Sequence, residues 1–344
     1  MTANLNLLSE SYAERFVLSV IIPMFNEYEV LPQCLQRLDA VVKELNITTE
    51  LIFVDDGSDD GSVEYLSEQA PSSASVKIVR LSRNFGKESA LTAGLDYANG
   101  AAVIILDADL QDPPELIPEM IKQWQSGVDV VLMQRRSRAG ESWLKRNTAH
   151  LFYRLLQRTS NLKIPMDVGD FRLMSRRAVD ALKLLPERNR FMKGLFAWVG
   201  MPTVVLKYDR EPRAAGTTKW GYLGLFQLAL EGIMSFSTSP LRWVMLLGVL
   251  AAFFGGSFGL LIIIKATIFG DAVHGYPSLI AVITFLGGVQ LLSIGIVGEY
   301  VGKTYIESKQ RPNYLVQDVT QIPEVRKAKS CGAAKTEEFY VKAS

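Results

Sequence analysis

Apolar residues along this chain follow two patterns, and the change from one to the other comes near residue 240. Before that point the apolar runs are short. Val17-Leu18-Ser19-Val20-Ile21-Ile22-Pro23-Met24 is rich in β-branched residues; Leu51-Ile52-Phe53-Val54, Val103-Ile104-Ile105-Leu106 and 128–133 repeat the pattern. Runs of this length, apolar on both faces, predict strands of a parallel sheet covered by helices. Between them, 29–45, 61–69, 86–98 and 115–124 carry apolar residues at helical spacing. Alternating strands and helices predict an open α/β sheet, whose ligands sit beyond the carboxyl ends of the strands. Polar clusters fall at those ends: Asn26-Glu27, Asp55-Asp56-Gly57-Ser58 and Asp107-Ala108-Asp109.

Beyond residue 240 the pattern is continuous. Neither 243–264 nor 275–298 contains a charged residue, and each is long enough to cross a hydrocarbon core of about 30 Å, which takes about 20 helical residues. Two transmembrane helices are therefore expected, over about 243–267 and 276–298. Arg242 precedes the pair, and Lys303, Lys309 and Arg311 follow it, while the linking loop 270–274 holds Asp271 and no Lys or Arg. By the bias of basic residues toward the cytoplasm, both flanks and the first domain are expected on that side of the cell membrane. Two amphipathic segments precede the spans. In 146–162, Leu151, Phe152, Leu155 and Leu156 oppose Arg154 and Arg158; such a helix packs on the domain or lies on the membrane surface. The second, 222–236, leads directly into the first span. Residues 1–14 lack the basic and apolar regions of an export signal. After Pro312 the chain turns polar, so a loosely ordered tail is expected. The predicted organisation is an extension (1–16), a catalytic domain (17–220), a juxtamembrane helix (221–240), the membrane pair (241–302) and a cytoplasmic tail (303–344).

A net charge of +1 over 344 residues gives no broad pull toward nucleic acid. Two histidines rule out a multi-histidine zinc site, and Cys34 and Cys331 lie too far apart to make a ligand pair, as expected in a reducing compartment. Basic residues do cluster locally: Arg135, Arg136 and Arg138 follow the fourth apolar run. Guanidinium forks match phosphate oxygens, so this cluster is placed to receive an anionic acceptor or to touch lipid headgroups.

Asp107-Ala108-Asp109 ends an apolar run, and Gln111 adds an oxygen two residues on. Carboxylates at a strand end can hold a hard divalent ion, which in turn holds a diphosphate; a solvated turn is the plainer alternative. The string Asp55-Asp56-Gly57-Ser58-Asp59-Asp60-Gly61-Ser62 also follows a strand. Carboxylates cannot cradle phosphate, but one of them can accept the imide proton of uracil; the string also reads as a glycine turn with helix caps.

Five strings in this order resemble family-2 glycosyltransferases of the GT-A fold, in the polyisoprenyl-phosphate branch that includes dolichol-phosphate mannose synthases and bactoprenol glucosyltransferases. They are Pro23-Met24-Phe25-Asn26-Glu27, Val54-Asp55-Asp56-Gly57-Ser58, Arg83-Asn84-Phe85-Gly86-Lys87, Asp107-Ala108-Asp109-Leu110-Gln111 and Gly216-Thr217-Thr218-Lys219. The resemblance implies an enzyme moving a hexose from a nucleotide sugar to a polyprenyl phosphate at a lipid bilayer. Glucose from UDP-glucose and undecaprenyl phosphate are favoured, with GDP-mannose as the alternative donor. It implies that Pro23, Phe25, Glu27, Val54 and Asp56 hold the nucleoside, with Asp107 and Ala108 close to the donor. Asp109 and Gln111 would ligate Mg2+ or Mn2+, Arg213 and Lys219 would contact phosphate, and Asp170 stands near the position of a base in relatives. Because a phosphate monoester is largely ionised at neutral pH, Asp170 is read as an orienting carboxylate. An aromatic residue usual in this branch between Arg213 and Gly216 is replaced here by Ala214-Ala215. Two spans and the lack of a Gln-x-x-Arg-Trp segment argue against a processive polysaccharide synthase, and the retained charged residues argue against a non-catalytic scaffold. Gly255, Gly256 and Gly259 permit close helix contact, hence a homo-oligomer.

Overall fold

The computed structural model describes residues 17–136, 168–188, 190–211, 234, 237–269 and 275–324. Arg138, Arg213, Ala214, Ala215, Lys219, Cys331 and both amphipathic segments (Met234 apart) lie outside these residues. The strands are β1 (Leu18–Met24), β2 (Thr49–Asp55), β3 (Ser75–Leu81), β4 (Ala102–Ile105), β5 (Val130–Arg135), β6 (Val168–Ser175), β7 (Thr203–Tyr208) and β8 (Val316–Ile322). They form one sheet in the order β7-β5-β6-β4-β1-β2-β3-β8. The sheet is mixed rather than parallel throughout. β1 pairs in parallel with β2 and β4, β2 with β3, and β5 with β7; β6 runs antiparallel to β4 and β5, and β8 antiparallel to β3.

Helices cover both faces. On one face, α1 (Leu31–Leu45) buries Leu31, Cys34, Leu35, Leu38, Val41 and Val42, and α4 (Ile117–Gln125) buries Ile117, Met120 and Ile121. On the other lie α3 (Lys87–Tyr97), α5 (Arg176–Lys183) and α6 (Met192–Val199), over a cluster that includes Ile21, Ile52, Val54 and Met174. A short helix, α2 (Ser62–Gln69), joins β2 to β3. α3 sits close to the sheet because residue 94 is glycine: a Cβ there would lie 2.2 Å from Ile21 Cγ2. The strand β3 carries Lys77 and Arg80 among its apolar residues, which hides it from a search for apolar runs. Lys77 is nonetheless buried, its ammonium donating to Glu50 (3.3 Å) and to the Tyr97 carbonyl (3.1 Å).

Two further helices, α7 (Ser239–Phe269) and α8 (Tyr276–Ser308), run longer than the apolar stretches that announce them. Ser239–Leu261 and Phe285–Ser308 are long and apolar enough to cross a membrane. Large apolar side chains such as Leu246, Phe253, Phe254, Ile283 and Leu291 stand exposed on them, as helices facing lipid require.

The segment after α8 does not match the loose tail expected of it. Arg188 holds its start: the backbone N–H donates to Glu307 Oε1 (2.9 Å) and the guanidinium to the carbonyls of Gln310 and Arg311. The Tyr314 hydroxyl donates to Asp96 (2.8 Å), and β8 then completes the sheet edge beside β3. Polarity misled because an edge strand with most of its side chains exposed needs no apolar face; its main chain supplies the binding.

Candidate active site

The carboxyl ends of β1, β2 and β4 converge, and their loops are laced by main-chain bonds. Asn26 takes a left-handed conformation (φ 54°); its N–H donates to Ser58 Oγ (2.9 Å), and its side-chain oxygen accepts from the Asp59 N–H (3.1 Å). Asp55 accepts from the Ser58 N–H (3.1 Å), closing its own turn. Asp56 reaches outward instead: its carboxylate accepts from the N–H groups of Phe85 (2.7 Å) and Gly86 (2.9 Å). Gly57 (φ 81°) is required where these loops meet, since a Cβ there would stand 2.8 Å from the Arg83 carbonyl carbon. Burial raises the Asp56 carboxyl above the usual carboxylate range, against the two amide bonds that lower it. A carboxylate has about four acceptor positions, so room is left for one more donor.

Of the residues expected to hold a nucleoside, Phe25 and Glu27 are half-buried beside this junction. Pro23 is buried within β1. Val54 and Ala108 are buried, their side chains in the two apolar clusters under the sheet faces.

At the end of β4, Leu110 adopts φ 57° while fully buried. A bulky residue in this region costs on the order of 1 kcal/mol, and such strain gathers at functional sites. It turns the chain between Asp109, which is buried and accepts from the Gln111 N–H (3.2 Å), and Gln111 itself. The Gln111 side-chain oxygen accepts from Arg210, and its carbonyl from the Glu211 N–H (3.1 Å). Glu211 is also clamped by Arg37, which donates to Glu115 as well. The chain thus enters the segment holding Arg213 and Lys219 directly beside Gln111. Among the described residues no group of three His, Cys, Asp or Glu side chains is gathered to hold a metal. Asp109 and Gln111 still fit a hard divalent ion, because Mg2+ is commonly held by one or two protein oxygens together with substrate phosphates and water.

Asp112, next in the loop, is buried and accepts from the Tyr208 hydroxyl. Arg135 leans over this pair, its Nε 3.4 Å from the Tyr208 oxygen and Nη2 3.9 Å from Asp112. Gly169 makes space for it; a Cβ there would meet Arg135 Nη2 at 3.1 Å. Arg136 is exposed and pairs with Asp209 at 3.3 Å. The two described arginines therefore differ: Arg135 points into the site and Arg136 along its rim.

Asp170, on β6, meets Lys87 at 2.7 Å, and the same ammonium lies 2.7 Å from Asp107. Burial would raise the Asp170 carboxyl, but the charges of Lys87, Lys193 and Arg172 outweigh it and hold the group well below the usual carboxylate range. A carboxylate so stabilised is a weak base and a good anchor, in line with an orienting role. Behind it Arg172, buried, donates to the Gly169 carbonyl (2.8 Å) and stacks on Phe196 at 3.8 Å. Sequence reasoning placed Lys87 in a motif without giving it a role, and passed over Arg210 and Tyr208. The signal for Lys87 was available: a lysine at the first position of a helix that starts where two loops meet.

The comparisons with known proteins bear on this geometry. The model of the glycosyl transferase family 2 domain matches residues 19–183. An uncharacterized glycosyltransferase of Synechocystis sp. is 51% identical over 302 residues, covering 88% of this chain and 95% of the relative. A prophage bactoprenol glucosyl transferase homolog of Escherichia coli is 47% identical over 302 residues, covering 88% and 99%. The bactoprenol glucosyl transferase of Shigella phage SfV is 47% identical over 304 residues, again covering 88% and 99%. Among solved structures, a glucosyl-3-phosphoglycerate synthase from Mycobacterium tuberculosis is 20% identical with a TM-score of 0.44, over 65% of this chain and 81% of that one. The five ordered motifs and relatives of nearly full length agree: the chain belongs to glycosyl transferase family 2, in its polyprenyl-phosphate branch.

Proposed function

We propose that this protein transfers glucose from UDP-glucose to undecaprenyl phosphate, with inversion, at the cytoplasmic face of the cell membrane. The observation that carries the reading is the meeting, at one end of the sheet, of Asp107, Asp109 and Gln111 with Asp170 and Arg135. In this reading an oxygen of the lipid phosphate attacks the anomeric carbon, the bond from that carbon to the diphosphate breaks, and UDP leaves with the electron pair. Asp56 and Phe25 hold the nucleoside. Asp109 and Gln111 would hold Mg2+ or Mn2+, which when bound supplies positive charge to the leaving diphosphate. Arg210, paired with Gln111, brings a second positive charge to the same loop, and Arg213 and Lys219 add to it. Arg135 and Arg138 receive the acceptor phosphate, and Arg136 faces the headgroups. The names of the relatives support glucose and bactoprenol, and the basic flanks Arg242, Lys303, Lys309 and Arg311 support the cytoplasmic side.

Purified protein in detergent, given a short polyprenyl phosphate and labelled UDP-glucose, UDP-N-acetylglucosamine or GDP-mannose, is expected to make a lipid-linked product from UDP-glucose alone, with the anomeric configuration inverted. Chelation should stop the reaction. Preference for GDP-mannose, a retained configuration, or no lipid product with any donor would overturn the proposal.

A further inference from the structure

Strand register creates a charge problem at the centre of the site. β4 and β6 run antiparallel with Ile105 opposite Arg172, so continuing the register by two residues sets Asp107 opposite Asp170. Like charges this close repel one another. In the proposed reaction a third anion, the acceptor phosphate, must come to the same place.

Lys87 lies where that repulsion is greatest. Its ammonium is 2.7 Å from Asp107 Oδ1 and 2.7 Å from Asp170 Oδ2, so one cation is shared by two strands. The loop before it cannot swing freely, because Asp56 accepts from the N–H groups of Phe85 and Gly86. The Lys87 side chain is 45% exposed, against 23% for Asp107 and 15% for Asp170, so it is the most open of the three. The other charged groups facing Asp170 are Lys193, Arg172 and Glu88. Arg172 is committed to the Gly169 and Asp170 carbonyls and to the Phe196 ring. Glu88 accepts from the Met192 N–H at 3.1 Å.

We propose that Lys87 is a positioning residue for transfer: a single ammonium that ties the donor-side carboxylate Asp107 to Asp170 and cancels the negative charge that would turn an anionic acceptor away. This rests on the acceptor being a phosphate, as proposed above. No bond is made or broken at Lys87; it acts through the two carboxylates and their field.

The test separates acceptor binding from donor binding. Lys87→Met keeps the length of the side chain and removes its charge. It should raise the KM for a short polyprenyl phosphate about tenfold or more while the KM for UDP-glucose stays within about threefold of wild type. Lys87→Arg, which keeps the charge, should recover most of the loss. In the pair Lys87→Met/Asp170→Asn, measured by binding of the polyprenyl phosphate rather than by turnover, affinity should return toward wild type, since one of the two repelling charges is gone. If Lys87→Met does not fold, Lys87→Gln carries the same test. An unchanged acceptor KM, equal losses for donor and acceptor, or failure of Lys87→Arg to rescue would each overturn the assignment while leaving the proposed function standing. A wild-type protein inert toward every polyprenyl phosphate would overturn the proposed function and this assignment with it.

Discussion

In the half of the sheet built from β1 to β4, the site loops are fixed above a continuous apolar core by short side chains that accept from main-chain N–H groups: Ser58 from Asn26, Asp56 from Phe85 and Gly86, Asp55 from its own turn. In the half built from β5 to β7, the corresponding work falls to charged and aromatic side chains. Tyr208 donates to Asp112, Arg135 lies over that pair, and Arg172 is held between carbonyls and Phe196. In the proposed reaction the two halves have different tasks. A nucleoside diphosphate presents the same shape at every turnover and suits a stiff loop frame. An acceptor that comes out of a bilayer brings charge and little shape, and is met by a field of paired ions. Apolar packing tolerates salt and pH but not an added methyl; ion pairs behave the other way round.

This contrast can be broken at three points. The largest effect belongs to the loop proposed to hold the cation. Asp109→Ala should abolish cation-dependent donor binding and lower transfer by at least about 100-fold; isothermal titration of UDP-glucose with and without Mn2+ measures it, and binding that persists in chelator would count against the assignment. Next comes packing. Gly94→Ala places a methyl 2.2 Å from Ile21 Cγ2 and should cost about 1–3 kcal/mol, seen as a lower thermal midpoint that does not respond to salt. A midpoint equal to wild type would mean that α3 rides on the sheet more loosely than its glycine implies.

The smallest effect lies at the seam between the halves. Burial, helped by the Asp170 charge, pushes the Glu88 carboxyl from 4.5 up to about 7. At pH 4 both folded and unfolded chains keep the proton. As the pH climbs toward 7 the unfolded chain releases it while the folded one does not, so stability contributed by this group declines across that window. Glu88→Gln should remove the decline, stabilising the protein at pH 8 by about 1 kcal/mol, discounted for partial exposure, and by almost nothing at pH 5. Parallel melting curves for the variant and wild type at both pH values would refute it.

How far the sequence could be read tracks the same division. β1, β2 and β4 are runs of buried aliphatic residues, and the helices between them place their apolar faces at regular intervals, so both were visible. β6 was not: Val168-Gly169-Asp170-Phe171-Arg172-Leu173-Met174-Ser175 mixes a glycine and two charges into a buried strand, because the site needs Asp170 and the space over Gly169. β3 was hidden by Lys77, whose partner Glu50 lies far away in sequence. That Asp109 and Gln111 lie together in the loop after β4 needed only the spacing. The tie from Lys87 to two carboxylates needed the register of β4 against β6, which no local pattern encodes.

One strand also limits what the membrane segment can be. The polypeptide on either side of α7 and α8 belongs to the globular part: the Glu211 N–H donates to the Gln111 carbonyl, and β8 is bonded to β3. Any path through a bilayer between those two points must come back to the leaflet it left, so the number of crossings has to be even. The globular part is therefore joined to any such segment by two stretches of chain instead of one.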